Sequence, residues 1–128
     1  MNLSKHSKER FNETFKYYMV DDEYSQSIYN YLVYGLEPGS FWASVFANDF
    51  INAMMTSHMA NKIPNLKNAA RWIYFKMPDP AFGSYDAVNQ WLNMPDDERR
   101  TFLEKKELIY TPEKETWMIL KEEDHTKL

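Results

Sequence analysis

The window from Phe41 to Met55 is the most apolar in the chain, and Asn48, Asp49 and Asn52 interrupt it. It falls well short of the ~20 apolar residues of a membrane-spanning helix, so it belongs in a protein core. Phe41, Trp42, Val45, Phe46, Phe50, Ile51, Met54 and Met55 go nearly all the way round a helix, which predicts a central helix covered by protein on several sides. Pro38-Gly39-Ser40 makes the turn before it, with Ser40 as N-cap, and the helix is expected to run to about Asn61, ahead of Pro64.

Shorter helices are expected around it. Phe11, Phe15 and Tyr18 recur at helical spacing and mark a first helix, which Asp21-Asp22 ends while capping a second. The second carries Ile28, Tyr31 and Leu32 and stops at Gly35, a residue suited to the left-handed turn after a helix. Asn65 reads as the cap of a fourth helix holding Leu66, Ala69, Ala70, Ile73 and Met77, closed by Pro78-Asp79-Pro80. Ser84 caps a short fifth with Val88, Trp91 and Leu92 inward, and Pro95 sits at the first turn of a sixth, Asp96 to Lys106. Leu108-Ile109-Tyr110-Thr111 and Thr116-Trp117-Met118-Ile119-Leu120 are β-favouring runs flanking Pro112-Glu113-Lys114-Glu115, which predicts a hairpin. The expected fold class is therefore mainly α (α+β), a compact bundle of five or six helices around a central buried helix with a small C-terminal β-hairpin. One domain spans 1–128, with a helical core at about 8–106, the hairpin at about 107–121 and a polar tail at 122–128.

Lys and Arg number 15 against 19 Asp and Glu, and the net charge of −4 weighs against a protein held to nucleic acid or anionic lipid by overall charge. No cysteine is present, which excludes disulfides, thiolate metal ligands and thiol catalysis and makes a cytosolic setting the simplest expectation. The N-terminus lacks the apolar core of a signal peptide, and no segment reads as membrane-spanning. His58 is the only histidine outside the polar termini, and a lone imidazole makes no metal cluster of standard spacing. Gly-x-Gly-x-x-Gly, Walker, His-Glu-x-x-His and Gly-x-Ser-x-Gly patterns are all missing, so no catalytic residue, metal or cofactor is assigned. Asp21-Asp22-Glu23 and Asp96-Asp97-Glu98 sit at helix starts, where the macrodipole favours carboxylates, and Glu122-Glu123-Asp124 reads as a solvated tail.

Two polar features remain. On a helix covered from several sides Asn48, Asp49 and Asn52 cannot all reach solvent, so Asn48 and Asp49 are expected to be mostly buried. A buried carboxylate needs donors, whether a Tyr hydroxyl, a Trp indole or a helix-start amide within the fold, or a ligand. Gly39-Ser40 and Gly83-Ser84, each followed by an aromatic residue, place amides and a hydroxyl at a helix start. Ordinary capping explains both, and so does a site for a phosphate or carboxylate. With Trp42 as a stacking surface, the candidate ligand-binding residues are Gly39, Ser40, Trp42, Asn48, Asp49, Asn52, Gly83 and Ser84, a set suited to a nucleotide-like molecule.

The run Gly35-Leu36-Glu37-Pro38-Gly39-Ser40-Phe41, then Asn48-Asp49-Phe50, Ala53, Asn61, Pro78, Gly83-Ser84 and Trp91, resembles a family of small proteins encoded by tailed bacteriophages and prophages. The resemblance covers about residues 28–92. An acidic residue is common in that family where this chain has His58, and Lys62-Ile63-Pro64 departs from its usual run, so a site using that acid would be altered here. The resemblance implies a phage accessory protein acting in the host cytoplasm against host immunity. Three classes follow. The first is a binder sequestering a nucleotide-like signal; the others are an inhibitor of a host defence protein, of anti-CRISPR type, and an enzyme degrading such a signal. Self-association into a homo-oligomer is also expected, because so small a chain with this many aromatic residues leaves apolar surface to cover.

Overall fold

The computed structural model describes the backbone of residues 1–126 and the side chains through Glu123; residues 127 and 128, and the side chains of 124–126 in the expected polar tail, lie outside the described residues. Eight α-helices follow in order: α1 (Lys5–Tyr17), α2 (Asp22–Tyr34), α3 (Gly39–Phe46), α4 (Phe50–Thr56), α5 (Ile63–Lys76), α6 (Tyr85–Asn93), α7 (Asp96–Lys105) and α8 (Pro112–Thr126). One 3-10 turn, Asp79–Ala81, precedes α6. Among the described residues there is no strand, so the mainly helical expectation holds and the C-terminal β-hairpin does not.

The supposed hairpin turn is the first turn of α8. Pro112 occupies a helix start, where its missing N–H is no loss, and Glu113 and Glu115 sit at the positive end of the dipole. Thr111 caps it, its carbonyl accepting from the Glu115 amide at 3.0 Å and its hydroxyl from the Lys114 amide at 3.4 Å. The β-favouring run Thr116–Leu120 then continues as helix, since strand preference depends on a partner strand and none is offered. Leu108 and Ile109 are buried in the connection from α7 rather than in a strand.

The long central helix expected over 40–61 is two helices, and the buried centre of the fold is α2. Tyr24, Ile28, Tyr31, Leu32 and Val33 of α2 are all buried. Tyr31 stacks on Phe46 at 4.5 Å and donates its hydroxyl to the Ala81 carbonyl at 2.8 Å, while burial pushes its pKa up and keeps it a donor. The Trp91 indole donates to the Tyr31 carbonyl at 3.1 Å, and the Trp72 indole to the Thr14 hydroxyl at 2.9 Å, so both large rings are buried with their polar atoms satisfied. By contrast Phe50, Ile51 and Met55 of α4 are 68%, 70% and 80% exposed.

The break between α3 and α4 has a local cause in Asn48 and Asp49. Asn48 takes a left-handed conformation (φ 62°), with its amide bonded to the Val45 carbonyl at 3.1 Å and the Asp49 amide to the Ser44 carbonyl at 2.9 Å. These two bonds close α3 as a Schellman motif, for which Asn is a favoured residue after Gly. Asp49 then starts α4 as its N-cap, with its carboxylate accepting from the Asn52 amide at 3.2 Å. The same closure recurs at Met19 (φ 55°) and Glu107 (φ 57°), at the ends of α1 and α7, while left-handed Gly35 (φ 64°) ends α2 with its own amide on the Tyr31 carbonyl at 3.2 Å and the Leu36 amide on the Asn30 carbonyl at 3.3 Å. Two further caps differ from expectation: Pro38, not Ser40, precedes α3, and α5 begins at Ile63 with Pro64 in its first turn, leaving Asn65 inside it.

Candidate functional site

Helices α3, α4 and α5 and the 3-10 turn border a groove of about 590 Å³. It exists because the facing positions on α4 and α5 carry Ala53, Ala69 and Ala70, whose short side chains leave space between helices that longer ones would fill. Trp42, Ile73 and Met77 form a buried apolar floor, and Phe41, Val45, Phe50, Met54, Leu66, Tyr74 and Phe82 continue it toward solvent. Trp42 is packed edge-on to Tyr24 and Phe41 and stacked on Phe46, so it is fixed as core while presenting part of its surface to the groove. Its only charged lining residues are Asp49 and Asp79; among the described residues no Lys, Arg or His lines it.

A polar cluster stands beside the Asp49 end. Asp49 accepts the Tyr85 hydroxyl at 2.7 Å, and the Asn52 amide nitrogen donates to the Ser44 hydroxyl at 2.6 Å and approaches the Tyr85 oxygen at 3.4 Å. Ser44 in turn donates to the Ser40 carbonyl at 2.8 Å, which ties the cluster to the start of α3. These side-chain bonds tie α3 and α4 to Tyr85 at the start of α6 and so fix the angle between the three helices.

No family model, curated protein or solved structure matches this chain. Of the residues singled out by sequence, Trp42, Asn48 and Asp49 line the groove, and Asn52 joins Asp49 through Tyr85. The expected burial is corrected: Asn48 and Asn52 are exposed and Asp49 is half-buried, because the chain turns at Asn48 and carries all three to the rim. Gly39 and Ser40 lie exposed at the start of α3 and do not line the groove. Gly83 and Ser84 serve the fold, the Gly83 amide donating to the Phe46 carbonyl at 2.8 Å and the Ser84 hydroxyl accepting from the Ala87 amide at 3.0 Å. The two Gly-Ser steps are thus not brought into one phosphate cradle.

Ser44, Tyr85 and the three alanines were missed by sequence reasoning. Ala69 and Ala70, opposite the apolar face of a helix holding Ala53, were the available signal for a gap. His58 is exposed in the loop after α4, where its Nδ1 accepts the Ala60 amide at 3.0 Å. Among the described residues no group of three or more His, Cys, Asp or Glu is placed to hold a metal ion, and no helix is long and apolar enough to cross a membrane.

Proposed function

We propose that this chain is a protein-binding module whose groove takes the apolar face of a helix flanked by Lys or Arg. The observation that carries this is the lining: a continuous apolar surface whose only charges, Asp49 and Asp79, are negative. Docking an amphipathic helix in such a groove is a recurrent mode of recognition, in which apolar anchors supply affinity and rim charges select the partner. The exposed Phe50, Met54 and Tyr74 side chains extend the apolar surface outward, beyond what a small-molecule pocket needs. Combined with the resemblance to phage and prophage accessory proteins, the partner class is a host defence factor and the place of action the host cytoplasm.

A fluorescent amphipathic helix of about 18 residues, with Leu and Trp on one face and Lys on the other, provides the test by anisotropy titration. Binding is expected, with marked weakening when Glu replaces Lys in the peptide and when Ala70→Arg fills the groove. Ala70 is exposed on α5, and Arg is nearly as good a helix former as Ala, so this variant keeps the fold. Equal affinity for the Lys and Glu peptides, or indifference to Ala70→Arg, would overturn the proposal.

Sequestration of a nucleotide-like signal keeps one supporting observation. Helix α3 has neither a side-chain cap nor an acid in its first turn, so the amides near Gly39 and Ser40 are left for an anion. In the groove, however, phosphates would meet Asp49 and Asp79 without a cation, which ranks this reading second. A thermal-shift screen of cyclic nucleotides and cyclic oligonucleotides separates the two, since only the second reading expects a shift.

A further inference from the structure

Helices α1 and α2 enclose another pocket, of about 500 Å³, which shares no lining residue with the groove. The two helices run antiparallel: the Met1 amine donates to the Val33 carbonyl at 3.2 Å, and Phe11 meets Tyr29 edge-on at 5.1 Å. Lys8, Asn12 and Lys16 recur at every fourth position on one face of α1 and line one wall. Lys8 therefore stands toward Tyr29 and Tyr34, and Lys16 toward Asp22 and Ser25. Buried Phe15 and Val20 give the pocket an apolar floor.

Tyr29 lines this pocket, and its hydroxyl is buried without a hydrogen-bond partner among the described residues. The polar atoms of buried Tyr31, Trp72 and Trp91 are all bonded. Arg99 Nε is also buried and unbonded, but it belongs to a guanidinium that already donates to the Met94 carbonyl and Asp96. A buried hydroxyl left unpaired costs stability, so a fold that keeps one beside a pocket gives up stability for another use of it. Burial and the neighbouring Tyr34 push the Tyr29 pKa up to about 12, so the group stays protonated and remains a donor that calls for an acceptor.

The charges favour an anion at the same end. Lys8, Lys16 and Asp22 are the charged lining residues, whereas Glu9, Glu13, Asp21 and Glu23 do not line the pocket. Neither lysine forms an ion pair among the described residues. Lys16 and Asp22 share one end and offset each other, which leaves Lys8 as the net charge toward Tyr29. One cation, one hydroxyl donor and the Asn12 amide suit a monoanion, and the floor suits an apolar body.

We propose that this pocket binds a small organic carboxylate, with its anionic oxygens on Tyr29 and Lys8 and its apolar body over Phe15 and Val20. Tyr34, 39% exposed at the end of α2 and edge-on to Tyr29 at 5.9 Å, is the rim side chain that turns aside to admit it. The site is independent of the groove and of what the groove takes.

Amide NMR titration of the full chain with benzoate, phenylacetate and hexanoate, each paired with its neutral amide, tests it. At least one acid is expected to bind saturably with a Kd of about 1 mM or below, shifting α1 and α2 resonances, and its amide to bind at least about tenfold more weakly. Tyr29→Phe keeps the ring contacts and removes only the unpaired hydroxyl, so its Tm without ligand is expected to equal or exceed that of wild type while binding weakens by about tenfold. Lys8 is exposed, so Lys8→Gln keeps the fold and is expected to weaken binding in the same way. Failure of all three acids to bind, equal binding of acid and amide, or binding indifferent to both variants would overturn the proposal. So would a lower Tm in Tyr29→Phe, which would show the hydroxyl to be bonded within the fold.

Discussion

Substitutions at Asp49 separate its role in the fold from its role at the groove. One carboxylate oxygen caps α4 by accepting from the Asn52 amide at 3.2 Å, and the other accepts the Tyr85 hydroxyl at 2.7 Å. Asp49→Ala removes both. Loss of an N-cap costs about 1 kcal/mol, and loss of a hydroxyl–carboxylate bond at a half-exposed site costs about 1 kcal/mol more, because water replaces the partner only in part. The sum, about 2 kcal/mol, corresponds to a fall in Tm on the order of 8 °C for a domain of this length. Asp49→Asn keeps a capping oxygen of nearly equal quality and can turn its amide nitrogen toward the Tyr85 oxygen, so it retains most of the stability while removing the charge. Urea denaturation followed by far-UV circular dichroism measures the first effect, and anisotropy with the Lys peptide measures the second. A double-mutant cycle with Tyr85→Phe is expected to give a coupling of about 1 kcal/mol. The reasoning fails if Asp49→Ala unfolds within about 0.5 kcal/mol of wild type, or if Asp49→Asn is as destabilising as Asp49→Ala.

Three further outcomes are expected. Met19→Gly, Asn48→Gly and Glu107→Gly each place glycine at a left-handed helix end and are expected to stabilise, most at Met19 and Glu107 by about 1 kcal/mol and least at Asn48, as read from urea midpoints. Gly35→Ala is expected to destabilise by about 2–3 kcal/mol, since it adds a left-handed strain and sets a Cβ 2.9 Å from the Arg99 guanidinium, which is buried and bonded to the Met94 carbonyl and Asp96. Glu115→Ala removes the acceptor shared by Ser4, Ser7 and Arg100, so hydrogen exchange in α8 should speed up to that of a frayed helix while exchange in α2 changes little.

The helices whose ends carry strong local signals were legible. Asp21 capping α2, Gly35 closing it and Ser84 capping α6 all act as their residue types imply. Asn48-Asp49 carried the same kind of signal, a left-handed stop followed by a cap, yet the apolar residues on either side made the pair look like polar breaks in one buried helix. Periodicity reports which residues are apolar and not whether protein covers them, and Phe50, Ile51 and Met55 are apolar and open to solvent. The C-terminal run misled because its β-branched and aromatic residues fit a strand, whereas Thr111-Pro112-Glu113 starts a helix and the described residues offer no strand to pair with. For the groove, Trp42, Asn48 and Asp49 stood out by residue type, but a gap between helices is made by what is small, and the signal in Ala53, Ala69 and Ala70 emerges only once the helices that carry them face each other.

Methyl NMR of methionine-labelled protein during titration with the Lys peptide tests most directly whether the groove is the docking site. Met54 and Met77 line it, whereas Met94 packs on the core away from it. The expected result is a saturable shift of the Met54 and Met77 methyl resonances with Met94 unmoved, and loss of both shifts in Ala70→Arg. Saturable peptide binding that leaves Met54 and Met77 in place would put the interaction elsewhere on the molecule and contradict the account.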